Sequence, residues 1–101
     1  MMTGEGETAI RVVIRGRVQG VGFRAWTAGQ AELHGLAGWV RNRCDGSVEA
    51  VFRGPNTAVE IMLKTCREGP HGAGIEQVEE YPADPEDIAS VTSTFTIRQT
   101  G

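Results

Sequence analysis

Residues 10–24 read IRVVIRGRVQGVGFR. Ile10, Val12 and Ile14 recur at every second position, and this spacing predicts a strand with one buried face. Residues 16–24 hold three glycines, which are typical of a loop and not of a strand or helix interior. The sequence therefore predicts a strand that runs directly into a glycine-rich loop.

A helix and a hairpin are predicted after this loop. Residues 23–34 carry apolar and small side chains at helical spacing, and Gly35 suits the left-handed position that follows a helix. Two strands are predicted over residues 37–43 and 47–53. The Asp-Gly pair at 45–46 between them is a strong signal for a tight turn, so we expect the two strands to be antiparallel.

The second helix is marked at both ends. Thr57 and Glu60 have the spacing of a capping box, in which each side chain bonds the other residue's backbone N–H. Apolar residues then recur at helical spacing until Gly69 and Pro70, a pair that ends a helix. The sequence therefore predicts a helix capped at Thr57 that stops before Gly69.

Two further strands complete the element order. Residues 75–81 predict a fourth strand, and Phe95 and Ile97 mark a last strand whose register stays open after the polar stretch 82–93. The order is β-α-β-β-α-β with an extra short strand. It predicts an α+β, ferredoxin-like sandwich, in which an antiparallel sheet carries two helices on one face.

Length and composition favour one globular unit. The 101 residues fit one domain, which we place at 9–101 after a flexible Gly- and Glu-rich tail over residues 1–8. No apolar run approaches the ~18 residues of a membrane helix, and the acidic N-terminus lacks the apolar stretch of a signal peptide. We therefore expect a cytoplasmic protein that does not associate with membranes.

Charge and cysteine content restrict the partners and cofactors. The net charge of −3 argues against a general nucleic-acid binder, although the first 53 residues carry +2 and the remainder −5. The positive half leaves room for a local anion site. Cys44 and Cys66, with two distant histidines, lack the spacing of a metal site. We predict a monomer with no metal, no cofactor and no nucleic-acid partner.

The glycine-rich loop has the properties of an anion site. Backbone N–H groups at a helix N-terminus have no helical partner, and glycines let successive N–H groups turn inward. Arg24 at the helix start is unfavourable for the helix dipole, which makes sense if its side chain faces an anion. From spacing alone, an Arg24 that merely reaches solvent is equally acceptable.

Two other functions compete with this interpretation. Residues 20–25 fit the dinucleotide-binding pattern G-x-G-x-x-A, and Asp45 lies at about the right distance. However, Asp45 falls in a predicted hairpin, and the chain is too short for a doubly wound sheet. A ferredoxin-like sheet can also bind RNA through exposed aromatic side chains, but the strand register points Phe52 inward.

Three stretches together resemble the acylphosphatase family. They are GRVQGVGFR at 16–24, GLAGWVRN at 35–42 and DGSVEAVFRGP at 45–55. The combination of V-Q-G-V-x-F-R with G-W-V-x-N, in this order and separation, is highly specific, and the resemblance covers about residues 9–98.

The resemblance implies a function and a set of site residues. It implies hydrolysis of the carboxyl–phosphate anhydride of acyl phosphates to a carboxylate and inorganic phosphate, without a metal. Arg24 would hold phosphate, and Asn42 would orient the attacking water. The phosphate-binding residues that it implies are Gln19, Gly20, Val21, Gly22, Phe23 and Arg24.

Some alternatives stay open at this point. A catalytically silent binding or regulatory module with the same fold is the main alternative function. Asn42 alone could be a residue at the entry to a turn, and the side chain of Gln19 is expected to support the loop. Cys44, two residues beyond Asn42, is a candidate for an oxidation-sensitive thiol. The physiological acyl phosphate is not encoded in these motifs.

Overall fold

Five strands form one sheet in the structure, a computed structural model that describes residues 6–89, 91 and 93–101. The strand order is β4-β1-β3-β2-β5, which is the expected ferredoxin-like arrangement with an added edge strand. Among the described residues, no helix has both the length and the apolar character needed to cross a membrane. The elements are β1 (Glu7–Arg17), α1 (Phe23–Leu33), β2 (Ala37–Asn42), β3 (Val48–Pro55), α2 (Asn56–Glu68), β4 (Gly74–Pro82), α3 (Pro85–Ala89) and β5 (Phe95–Ile97).

The main core lies between one face of this sheet and the helices α1 and α2. Phe52 in β3 has 0% of its surface exposed, as the alternation of β3 predicts. Its ring stacks on Phe95 of β5 at a centroid distance of 5.6 Å. α2 contributes Met62 at 0% exposure to the same cluster. Burying one such side chain contributes roughly 1.5–3 kcal/mol, so this cluster holds the helices on the sheet.

The second face of the sheet is held by charge and by aromatic contacts. Glu49 is 6% exposed and forms ion pairs with Arg11 at 3.1 Å and Arg41 at 2.8 Å. Trp39 is also buried, and the Arg98 guanidinium lies 4.5 Å from its ring centroid. The long arginine side chains thus cover apolar surface with their stems while their charges meet a carboxylate or a ring.

The last part of the chain departs from the prediction. β5 pairs with β2 in parallel, so the sheet is mixed and not wholly antiparallel. The chain leaves β4 at one edge of the sheet and re-enters at the opposite edge, where β5 lies beside β2. The polar stretch 82–93 also contains the unpredicted helix α3, whose Asp87 approaches Arg11 at 4.0 Å.

The starts of α2 and β1 differ from the prediction, and Gly16 and Arg17 of the predicted loop belong to β1. α2 begins at Asn56 with Pro55 as its N-cap, so Thr57 lies inside the helix and the predicted capping box is wrong. Pro55 is the last residue of β3, and its φ of −56° leads the chain directly into the helix. Glu7 and Thr8, for which the sequence predicts a tail, pair with β3 as part of β1. Residues 1–5 of the predicted tail lie outside the described residues.

Candidate active site

A cleft of about 260 Å³ opens where the loop after β1 meets the end of β2. β1 and β2 each pair antiparallel with β3, so both strands run in the same direction and end at the same side of the sheet. The first turn of α1 forms a third wall. The lining residues are Val18, Gly20, Gly22, Phe23, Arg24, Ala25, Asn42 and Ile97.

Two glycines shape the loop wall of the cleft. Gly20 has a φ of 78° and Gly22 a φ of 77°, in the left-handed region that favours glycine. Gly22 is the N-cap of α1, and among the described residues no side chain caps this helix. The first helical bond runs from the N–H of Trp26 to the carbonyl of Gly22 at 3.0 Å. The preceding N–H groups therefore have no helical acceptor and are available to an anion.

Arg24 brings a charged side chain to this wall. It is half-buried and lines the cleft from the first turn of α1. Among the described residues, no carboxylate lies within 4.0 Å of its guanidinium, whereas many other arginines are paired. A half-buried cation beside free N–H groups favours an anion over a neutral ligand. The arginines in ion pairs are Arg11, Arg15, Arg41, Arg53 and Arg67.

Asn42 reaches the cleft from the end of β2. Its backbone is fixed, because it pairs with Val48 in the ladder and its carbonyl accepts a bond from the N–H of Gly101 at 3.0 Å. Its side chain makes no hydrogen bond to any described residue and lines the cleft. Asn42 is thus a strand residue, and the turn itself lies beyond it. An amide can both donate to and accept from a water molecule.

Gln19 lies in the loop, but its side chain points to the β2–β3 hairpin. Its Nε2 donates to the carbonyl of Arg43 at 2.8 Å and to the carbonyl of Ser47 at 2.9 Å. Gln19 and Val21 do not line the cleft, whereas the other four predicted phosphate-binding residues do. The role of Gln19 in holding the loop agrees with the expectation for its side chain.

Comparison with known proteins decides the family. The acylphosphatase family model matches residues 10–97. The chain belongs to the acylphosphatase family. It is 50% identical over 96 residues to an acylphosphatase of Rhodopseudomonas palustris strain BisB5, an alignment that covers 92% of this chain and 97% of that protein. It is 60% identical over 72 residues to an acylphosphatase of Nitrobacter hamburgensis, covering 71% of this chain and 73% of that protein.

A solved structure supports the same assignment. The acylphosphatase from Coxiella burnetii is 36% identical and has a TM-score of 0.83, with 96% of this chain and 100% of that chain covered. These findings confirm the predicted resemblance, the ferredoxin-like fold and the predicted acylphosphatase function. They do not favour the alternative of a catalytically silent module.

Three lining residues of this acylphosphatase were not predicted from the sequence. Val18 lies within the recognised loop motif and Ala25 directly follows it, and both adjoin the predicted phosphate-binding residues 19–24. Ile97 enters the cleft from β5 and is 50% exposed. Its position depends on the parallel pairing of β5 with β2, for which the sequence carries no local signal.

Asp45 does not serve as the acid of a dinucleotide site. It lies in the hairpin turn, where its carboxylate accepts bonds from the Oγ and the N–H of Ser47. These bonds, with a further contribution from Arg15, lower the pKa of Asp45 to about 2. Since the sheet is also not a doubly wound parallel one, the dinucleotide-binding interpretation is wrong for this acylphosphatase.

The cysteines have different environments. Cys66 is buried in the core, and this burial raises the pKa of its thiol to about 12, so it stays protonated. Cys44 is exposed in the hairpin turn, and its oxidation sensitivity stays a prediction. Within the part of the chain that the structure describes, no three His, Cys, Asp or Glu side chains come together as metal ligands would.

The left-handed N-cap of α1 generates a test. We expect Gly22→Ala to lower the free energy of unfolding by about 1–2 kcal/mol, the cost of placing a Cβ in the left-handed region. We also expect Gly22→Ala to weaken inhibition by inorganic phosphate, because a change in the backbone at residue 22 changes the direction of the loop N–H groups. Denaturant unfolding and inhibition kinetics measure both effects.

Gly29→Ala is the matched control for that change. Gly29 lies in the same helix, lacks a positive φ, and a Cβ there would meet nothing within 4 Å. We expect this substitution to raise the free energy of unfolding by up to about 1 kcal/mol and to leave phosphate inhibition unchanged. Equal behaviour of the two variants would contradict the role given to Gly22.

Proposed function

We propose that this chain hydrolyses acyl phosphates in the cleft at the ends of β1 and β2, with the phosphoryl group on the loop side and the attacking water on the Asn42 side. The observation that carries the proposal is the convergence of Gly20, Gly22, Arg24 and Asn42 on one cleft. These residues come from two segments of the chain, and they supply an anion-binding wall opposite a neutral amide.

The loop and Arg24 bind the phosphoryl group in this proposal. The non-bridging oxygens accept bonds from the free N–H groups of the loop and the first turn of α1. Arg24 adds a planar fork of donors that matches two phosphate oxygens. Phosphoryl transfer depends mainly on positioning and on stabilising charge, so these groups contribute most where negative charge develops on the equatorial oxygens.

Asn42 positions the nucleophile. Its side-chain oxygen accepts a bond from a water molecule and its NH₂ group can donate one, which aims the water at phosphorus. An amide has no useful proton affinity, so the water's proton passes to a phosphate oxygen of the substrate. The new bond joins the water oxygen to phosphorus, and the bond between phosphorus and the acyl oxygen breaks. The leaving carboxylate is a weak base and needs no general acid.

The same proposal includes expectations about the ligands, the absence of a metal ion, the oligomeric state and the cellular location. The acyl phosphate and inorganic phosphate are the small-molecule partners. Arg24 and backbone N–H groups, instead of a metal ion, stabilise the negative charge of the phosphoryl oxygens. The enzyme acts as a monomer in the cytoplasm, without a nucleic-acid partner. The modest size and the net charge of −3 support these expectations. The one catalytic domain begins with β1 at Glu7 and not at residue 9.

Substitution of Arg24 tests the phosphate-binding wall. Arg24→Ala is expected to lower kcat/KM by at least about 10²-fold, the usual cost of removing one preorganised donor. Arg24→Lys keeps the charge but loses the fork, so it too is expected to lose most of the activity. Steady-state kinetics with an acyl phosphate, with inorganic phosphate as inhibitor, measure both variants.

Arg53→Lys serves as the control for Arg24→Lys. Arg53 lies at the opposite end of the sheet, where it pairs with Glu7 at 3.7 Å, and its substitution is expected to leave kcat/KM unchanged. Near-normal kcat/KM in Arg24→Lys would show that the guanidinium fork is irrelevant and that the assignment is wrong.

Substitution of Asn42 separates water positioning from phosphate binding. Misplacing a nucleophile costs roughly 10²-fold, so Asn42→Ala is expected to lower kcat by at least about that factor. Its inhibition constant for inorganic phosphate should stay near the wild-type value. The melting temperature should change little, because a polar residue at a strand end contributes only about 1 kcal/mol.

Asn56→Ala is the control for Asn42→Ala. Asn56→Ala at the exposed start of α2 should retain full kcat. If phosphate affinity falls in step with kcat in Asn42→Ala, then Asn42 binds the anion and not the water. If kcat is unchanged, Asn42 is only a residue before a turn.

A further inference from the structure

The side-chain amide of Gln19 connects the phosphate loop to the β2–β3 hairpin. A single nitrogen, Nε2, donates both of its protons to backbone carbonyls, one of Arg43 at 2.8 Å and one of Ser47 at 2.9 Å. Both distances lie within the usual range for N–H···O bonds. The side chain is half-buried, so the link is partly protected from water.

The two acceptor residues close the hairpin next to Asn42. Arg43 follows Asn42 directly, and its N–H donates to the carbonyl of Ser47 at 2.8 Å. Ser47 precedes Val48, the ladder partner of Asn42. Gln19 therefore bonds to the hairpin one residue pair away from Asn42, at the point where β2 and β3 end and the turn begins.

We propose that Gln19 is a positioning residue that sets the distance between the phosphate loop and the water held by Asn42. The proposal rests on the function proposed above. Among the described residues, no other hydrogen bond joins residues 18–22 to residues 43–47. The loop is otherwise anchored by the buried side chains of Val18 and Phe23, which fix it to the core and not to the hairpin.

This connection matters because the reaction joins two groups that are held by different segments. The loop holds the phosphoryl group, whereas the end of β2 holds the water. A displacement of about 1 Å between reacting groups can cost roughly 10²-fold in rate. Since Gly20 and Gly22 keep the loop's own conformation, losing the link should shift the loop as a unit and leave its N–H groups able to bind phosphate.

A double-mutant cycle with Asn42 tests the proposal. Gln19→Met keeps the length of the side chain and removes both donors. We expect Gln19→Met alone to lower kcat by about 10-fold to 10²-fold, with the phosphate inhibition constant within about threefold of wild type. In the Asn42→Ala background the same change should lower kcat by less than about threefold, because the water is already misplaced.

Other results would overturn the proposal. Additive losses in the double variant would mean that Gln19 does not act through Asn42. Loss of phosphate affinity in Gln19→Met would mean that Gln19 supports phosphate binding instead. Gln77→Met, on the exposed part of β4, is the matched control and should change neither constant. The melting temperature of each variant shows that it is folded under the assay conditions.

The single variants keep this test separate from the proposed function. Should Asn42→Ala retain full kcat, the function proposed for Asn42 fails regardless of Gln19. Should Asn42→Ala lose kcat while the cycle is additive, the proposed function stands and only the positioning role of Gln19 fails.

Discussion

The antiparallel pairing of both β1 and β2 with β3 is the constraint on which the site depends. Since these two strands then run in the same direction, the loop that leaves β1 and the residue that ends β2 must lie at the same edge of the sheet. Asn42 and Arg24 thereby come together although 18 positions separate them in the sequence. The buried β3 residues, Phe52 among them, hold this central strand against the helices.

The distribution of charge follows from the same architecture. On the face away from α1 and α2, Arg11 and Arg41 share the buried carboxylate of Glu49. At the end of the sheet, Arg24 has no carboxylate within 4.0 Å among the described residues. The charge of a paired arginine is already compensated by its carboxylate, whereas Arg24 can donate charge-assisted hydrogen bonds to a phosphoryl group. The ion pairs with Glu49 thus engage other arginines and leave Arg24 available to the proposed substrate.

Much of this could be predicted from the sequence, because the decisive signals are local. The alternation around Val12 predicted a strand, the glycines after it predicted a loop, and the Asp-Gly pair at 45–46 located the hairpin. The parts that were missed depend on long-range contacts. The parallel pairing of β5, and with it Ile97 in the cleft, has no local pattern. The capping box predicted at Thr57 is wrong, since the helix already begins at Asn56 after Pro55.

The bonds of Gln19 belong to the same class of missed features. Its position in the motif indicated that it supports the loop, but the two carbonyls that it binds lie more than 20 residues away. Only the folded chain brings the loop and the hairpin together. Such side-chain to backbone links are not encoded by periodicity, because they depend on where two separate turns meet in space.

The most direct test of the central claim is the turnover of benzoyl phosphate by the purified chain after treatment with EDTA, followed by ultraviolet absorbance. The account predicts release of benzoate and inorganic phosphate at the same rate before and after chelation, with inorganic phosphate as a competitive inhibitor. A rate no higher than that of Arg24→Ala, or a rate lost on chelation and restored by a divalent cation, would contradict it.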